Sequence, residues 1–199
     1  MKKVYLTFDD GPSETTPEIL DLLKRYHIPA IFFVLTEAAL RYPDIIKREI
    51  AEGHSIQLHG FDHDSFSKLS DEETHMVIGL ALDDLKKEFN IIPRIMRPPY
   101  GTVTSELLDS LKMRKMKLML WDVGGESVKD WHKKNPAGKA KTIMQQLKLK
   151  DENILLLHDG NKGRAKYPGC TVEILKIILP KLIKEYDFTL PEFVIETTK

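Results

Sequence analysis

Asp9 and Asp10 stand side by side straight after the apolar run Val4-Tyr5-Leu6-Thr7-Phe8, and Gly11-Pro12 then turns the chain away. Adjacent carboxylates repel, so a fold gains nothing by burying both without a proton or a cation to share. An Asp-rich turn capping a strand is the bland alternative. His59 and His63, four positions apart, have the spacing of metal ligands, although such a pair alone is more often structural or exposed. Adding Asp10 makes a set of two imidazoles and one carboxylate, which leaves a coordination position open for water or substrate. Zinc suits that set best, and iron, cobalt or nickel would fit it too. With Asp10 on the metal, Asp9 is free to act as base toward a metal-bound water whose pKa falls to ~7. Arg97, just ahead of Pro98-Pro99, can hold Asp9 oriented by a charge-assisted pair; a surface salt bridge is its alternative. His158 is a second titratable group, able to protonate a leaving amine.

These groups are useful only if the fold brings them together. Short apolar runs at 4–8, 30–35, 55–58, 95–96, 118–121 and 154–157 read as strands. Helical signals lie between them. Thr16-Pro17 reads as an N-cap with proline following, Pro43 opens a helix that Gly53 ends, and Ser70 to Glu73 is a capping box. Thr104 or Ser105 caps a helix through Leu111, and Pro136 starts one through Leu147. A last helix is expected over 172–186, kinked at Pro180, and a last strand over 188–194, interrupted by Pro191. Alternating strands and helices predict an α/β fold: a distorted, incomplete parallel β/α barrel of about seven units, with an open doubly wound sheet as the second choice. In such a barrel every C-terminal strand end lies on one rim, so Asp9, His59, Arg97 and His158 can converge across roughly 150 positions. No Gly-rich turn follows the first strand, which counts against a nucleotide site.

The 199 residues fit one domain, 1–199, and thirty basic against thirty acidic residues give no field suited to nucleic acid or an anionic membrane. A single cysteine, Cys170, excludes an intrachain disulfide and a multi-cysteine zinc site, and is expected to be an inert packing residue. No run is long enough to cross a bilayer. Met1-Lys2-Lys3 leads directly into the first strand, which reads as cytoplasmic for a complete chain and as exported for one whose leader has been removed. His27, His75 and His132 are expected in solvent, His54 in the framework, and the lysines around 112–117 and 133–141 on a solvated face.

The motifs resemble the polysaccharide deacetylases, carbohydrate esterase family 4, from Thr7 to His158. Thr7-Phe8-Asp9-Asp10-Gly11-Pro12, His59 with His63, Arg97-Pro98-Pro99-Tyr100-Gly101 and Leu156-Leu157-His158-Asp159 match four of its motifs. Gly60 and Asp64 replace a usual hydroxyl residue and a proline, and Gly124 stands where an aspartate is common. The resemblance implies metal-dependent removal of N-acetyl groups from a GlcNAc-containing glycan such as a chitooligosaccharide or peptidoglycan. In that reading Asp9 is the base, Arg97 orients it, and the Tyr100 amide helps hold the oxyanion. His158 is the acid, tuned by Asp130 or alternatively Asp122. Pro99, Tyr100, Trp131 and Leu156 would bind substrate, with Asp10, His59 and His63 on the metal. A carbohydrate-binding relative without turnover and a hydrolase of acetylxylan esters or of a small non-sugar amide are the other readings. No protein partner is implied.

Overall fold

In the computed structural model, which describes residues 1–164, 166 and 169–192, the apolar runs lie side by side in one parallel sheet. Its strands are β1 (Lys2–Asp9), β2 (Ile31–Leu35), β3 (Ser55–Gly60), β4 (Ile95–Met96), β5 (Lys117–Leu118), β6 (Glu152–His158) and β7 (Tyr186–Phe188). Helices α1 (Thr16–Tyr26), α2 (Thr36–Arg41), α3 (Pro43–Ala51), α4 (Asp71–Phe89), α5 (Ser105–Met113), α6 (Pro136–Gln146) and α7 (Thr171–Leu182) connect them. The order is β5-β4-β3-β2-β1-β6, with β7 also on β1, and every pairing is parallel. Among the described residues the single bridge Val123–Leu155 joins the sheet's two ends between β5 and β6, so the sheet curls toward a barrel without a continuous closing ladder.

Strand β2 is buried along its whole length, as a strand covered on both faces must be. Phe8 stacks on Phe32 with ring centroids 5.1 Å apart, and helix residues such as Ile19, Leu23, Ile46, Ile78 and Leu85 close over the sheet. Burying each of these side chains contributes about 1.5–3 kcal/mol, which holds the strand ends in register. That register sets Asp9 beside both Phe33 and His158, and Leu58 beside Met96, so His59 and Arg97 emerge together.

Several local expectations need correction. The fifth strand stops at Leu118 instead of running to Trp121, because the Met119 and Leu120 carbonyls accept hydrogen bonds from the Arg97 guanidinium. Thr16 is not an N-cap: its hydroxyl binds Ser13 N–H and Asp159, and Thr15 occupies the cap position. Helix α2 has no counterpart in the sequence reading. Helix α7 ends at Leu182 with Pro180 inside it, and the last strand begins at Tyr186, earlier than expected; residues 193–194 of that expectation lie outside the described residues. The Ser70–Glu73 capping box and the Thr104 cap form as read.

Candidate metal and acid–base site

The end of β1 delivers two carboxylates to different surroundings. Asp9 Oδ1 accepts from Arg97 Nη1 at 2.7 Å. Arg97 is wholly buried and also donates to Thr7 Oγ1, Met119 O and Leu120 O, with its guanidinium 4.2 Å over the Phe33 ring. Every one of these contacts is fixed by sheet or backbone, so the planar guanidinium and with it Asp9 have one orientation.

Asp10 turns the other way, at φ 74°, in a left-handed conformation that non-glycine residues seldom adopt. Its Oδ1 lies 3.2 Å from His59 Nε2 and 3.1 Å from His63 Nε2, and its Oδ2 accepts the Lys162 N–H at 2.9 Å. Gly160 permits this turn to meet the end of β6, because a Cβ there would stand 2.1 Å from the Asp10 carbonyl oxygen. Burial opposes ionisation of Asp10, yet the two imidazoles outweigh it and hold its carboxyl well below the usual range.

Asp10, His59 and His63 offer three ligand atoms all within 4.8 Å of one another. Asp10 Oδ1 is buried without a hydrogen bond, an arrangement that is costly unless a cation takes the lone pair. Its distances to the two nitrogens match the ~3.3 Å edge of a tetrahedron of ligands about a zinc-sized ion. His59 Nδ1 sits 2.6 Å from the Arg97 carbonyl, and with its proton held there Nε2 presents its lone pair to a cation bound beside Asp10. The residues therefore fit a divalent cation. Although Gly60 lacks the hydroxyl usual at its position, His59 is held through Arg97 and the Gly60 carbonyl accepts from Thr36 Oγ1.

Across the groove, His158 Nδ1 is 2.9 Å from Asp130 Oδ1, and Asp130 Oδ2 accepts from the His158 N–H and from Thr171 Oγ1, each at 2.7 Å. Burial works against the imidazolium, but Asp130 outweighs it, with Asp10 and Asp9 adding, and the His158 pKa rises to about 9. Asp122, the alternative partner, is taken elsewhere: its carboxylate holds Lys150 and the Ile154 N–H. Trp131 meets His158 edge-on at 5.0 Å, as Tyr100 meets His63 at 4.5 Å, giving the groove an aromatic wall on each side.

The groove encloses about 510 Å³ and is lined by Asp9, Asp10, His59, His63, Tyr100, Trp131, Leu156 and His158, all named from the sequence. Pro99, expected on its wall, lies buried behind it and Pro98 lines it instead, because the chain is extended at Pro98 and turns in at Pro99. Arg97 and Asp130 stand behind the groove and touch its contents only through Asp9 and His158. His132, expected in solvent, is exposed, and it lies on the groove's rim. His75, also expected free in solvent, is packed between α4 and α5: Arg114 bonds both its ring and its carbonyl, and Asp71 meets Nε2. Trp121, which precedes Asp130-Trp131 in the fourth motif of the resemblance, also lines the groove, as do Glu126, Asn161 and Lys162, which no motif singled out.

The model of the family described as polysaccharide deacetylase matches residues 1–134. The chain is 34% identical over 176 residues to a Listeria monocytogenes protein named peptidoglycan-N-acetylglucosamine deacetylase PgdA, covering 88% of this chain and 36% of that one. It is 38% identical over 151 residues to the Bacillus subtilis peptidoglycan-N-acetylmuramic acid deacetylase PdaC, covering 72% of this chain and 32% of the relative. It thus spans about a third of the length of either relative. The solved structure of Bacillus subtilis PdaC superposes with a TM-score of 0.77 at 32% identity, over 98% of this chain and 90% of that one.

Proposed function

Because this chain belongs to the polysaccharide deacetylase family, we propose that residues 1–199 act as a single catalytic domain that hydrolyses the N-acetyl group of an aminosugar in a glycan, releasing acetate. The observation that carries the reading is the convergence in one groove of Asp10, His59 and His63 with two separately oriented acid–base groups, Asp9 on Arg97 and His158 on Asp130.

Asp10, His59 and His63 would hold a divalent cation, zinc by ligand preference, which when bound supplies Lewis acidity toward water and the acyl oxygen. Asp9 takes the proton of the attacking water, its Oδ1 anchored on Arg97 so that Oδ2 faces the reaction. As the C–N bond of the amide breaks, His158 Nε2 gives its proton to the departing nitrogen. With Nδ1 committed to Asp130 and the pKa at about 9, the imidazolium is the form present near neutral pH. Tyr100, turned to φ 60° at the groove wall, offers its backbone N–H as the second donor to the oxyanion. Trp131 and Tyr100 bracket the sugar. A glycan offers either a neutral N-acetylglucosamine or its acidic lactyl ether, N-acetylmuramic acid.

The test is acetate release from N-acetylglucosamine oligomers and peptidoglycan fragments after metal reconstitution, with metal content measured in parallel. Asp9→Asn is expected to keep its metal and lose at least ~10²-fold in kcat, whereas His59→Ala should lose the metal itself. Loss of metal by Asp9→Asn as complete as that of His59→Ala would overturn the division of roles between the two aspartates. Absence of acetate from every substrate with metal bound would overturn the reaction.

A further inference from the structure

Lys162 lies outside every motif, yet the fold builds a place for it. It follows Asn161 in the turn after β6, at φ 52°, and its backbone N–H is spent on Asp10 Oδ2 at 2.9 Å. The turn is closed by an antiparallel bridge between Asn161 and Arg164, with Arg164 N–H donating to the Asn161 carbonyl at 2.9 Å. Arg41 of α2 clamps the Gly163 carbonyl from outside. The Lys162 Cα is thus held at several points, which distinguishes it from a lysine on an unconstrained surface loop.

Its side chain folds over the groove wall. Nζ lies 4.8 Å from the centre of the Tyr100 ring and donates to Tyr100 Oη at 3.2 Å. Among the described residues no carboxylate pairs with it: of the acids on the groove lining, Asp9 is held by Arg97, Asp10 faces the two imidazoles and the Lys162 backbone N–H, and Glu126 is paired with Lys129 at 2.9 Å. An ammonium has three N–H donors, and a phenol ring and hydroxyl satisfy it only in part. The groove therefore carries an uncompensated positive charge on the Tyr100 side, next to where the reacting acetamido group would sit.

Building on the deacetylase reading, we propose that Lys162 reads a carboxylate on the glycan, so that this groove prefers an acidic N-acetylated aminosugar over its neutral counterpart. An ether-linked carboxylate on the sugar ring, as in a muramyl residue, is the class of substituent within reach of an ammonium fixed over Tyr100. Asp10 keeps its backbone contact in any side-chain variant at 162, so the charge can be removed without dismantling the turn.

The experiment compares one peptidoglycan-derived oligomer with the same oligomer after amidation of its lactyl carboxylates. Binding is followed by tryptophan fluorescence, since Trp121 and Trp131 line the groove, and turnover by acetate release, at low and high salt. Wild type should favour the acidic over the amidated form by about three- to five-fold at low salt, less at high salt. Lys162→Met should bring that ratio to about one, and Lys162→Arg should restore it. Equal losses on both forms in Lys162→Met would assign the side chain a structural role on Tyr100 and overturn the proposal, as would a wild type that binds both forms alike. A binding preference that depends on Lys162, without acetate release, would uphold this inference and count instead against the reaction.

Discussion

Asp9 and Asp10 are neighbours in sequence but meet opposite partners: a guanidinium in one case, two imidazole nitrogens in the other. The same logic of one acid per cation governs His158, whose proton is kept by Asp130. Replacing Asp130 by Asn removes the charge that outweighs burial, so the His158 pKa must fall. In the proposed reaction the protonated imidazole is the working form, active below its pKa and lost as pH rises through it. The descending limb of the kcat/KM profile should therefore move to lower pH in Asp130→Asn, with a loss of about 10²-fold at mildly alkaline pH. An unmoved limb would remove His158 as the acid. Asp9, Asp10 and His158 were legible in the sequence because each closes or directly follows an apolar strand and the parallel pattern sends all strand ends to one rim, whereas Asp130, in the segment between strands, was read only from the family resemblance. Lys162 was not legible, because what places it is a clamp from Arg41, more than a hundred positions away.

The elements explain where the sequence reading and the fold part. The segment between β5 and α6 has no ladder of its own; it is pinned by the bridge of Val123 to Leu155 and by the Asp122 carboxylate on the Ile154 N–H. Gly124 sits at φ 112°, and a Cβ there would stand 2.1 Å from the Leu156 carbonyl oxygen. A side chain at this position, the aspartate common among relatives by resemblance, would collide with β6 two residues before His158. Gly124→Ala should thus cost stability by roughly 1–3 kcal/mol and lower kcat as well, since β6 can yield only by moving His158. A melting temperature and a kcat both unchanged would show that the loop, and not the strand, absorbs the methyl group. The same lack of ladder explains the shortened fifth strand, whose next two carbonyls serve Arg97. Helix α2 escaped notice because Thr36 follows Leu35 with no turn residue between strand and helix, and six residues show too little periodicity. His75 looked solvated because its partner Arg114 comes from just past the end of α5, about forty positions away.

For the molecule as a whole, one carboxyl that makes stability depend on pH is one the proposed chemistry does not use. Glu49 on α3 is wholly buried, and neither of its side-chain oxygens has a partner among the described residues. Burial raises its pKa well above the usual carboxylate value, and the charge of Asp159 adds to the effect. The folded chain therefore holds this proton more tightly than the unfolded chain does. Its contribution to stability is complete below the unfolded pKa of ~4.3 and is lost as pH rises through the folded value. Asp159, raised to about 7, and His158, raised to about 9, slope the same way, while His54, lowered to about 4 by burial, costs stability as pH falls below ~6.5. Comparing wild type with Glu49→Met at matched pH cancels those shared terms and isolates Glu49. The methionine variant should melt higher than wild type at pH 8, by about 2–4 °C for each kcal/mol relieved, and the gap should narrow toward pH 4.5. Parallel melting curves across that range, measured by calorimetry on metal-free and metal-loaded protein alike, would mean that Glu49 titrates in the fold as it does in water. The protonated, buried carboxyl would then be ruled out.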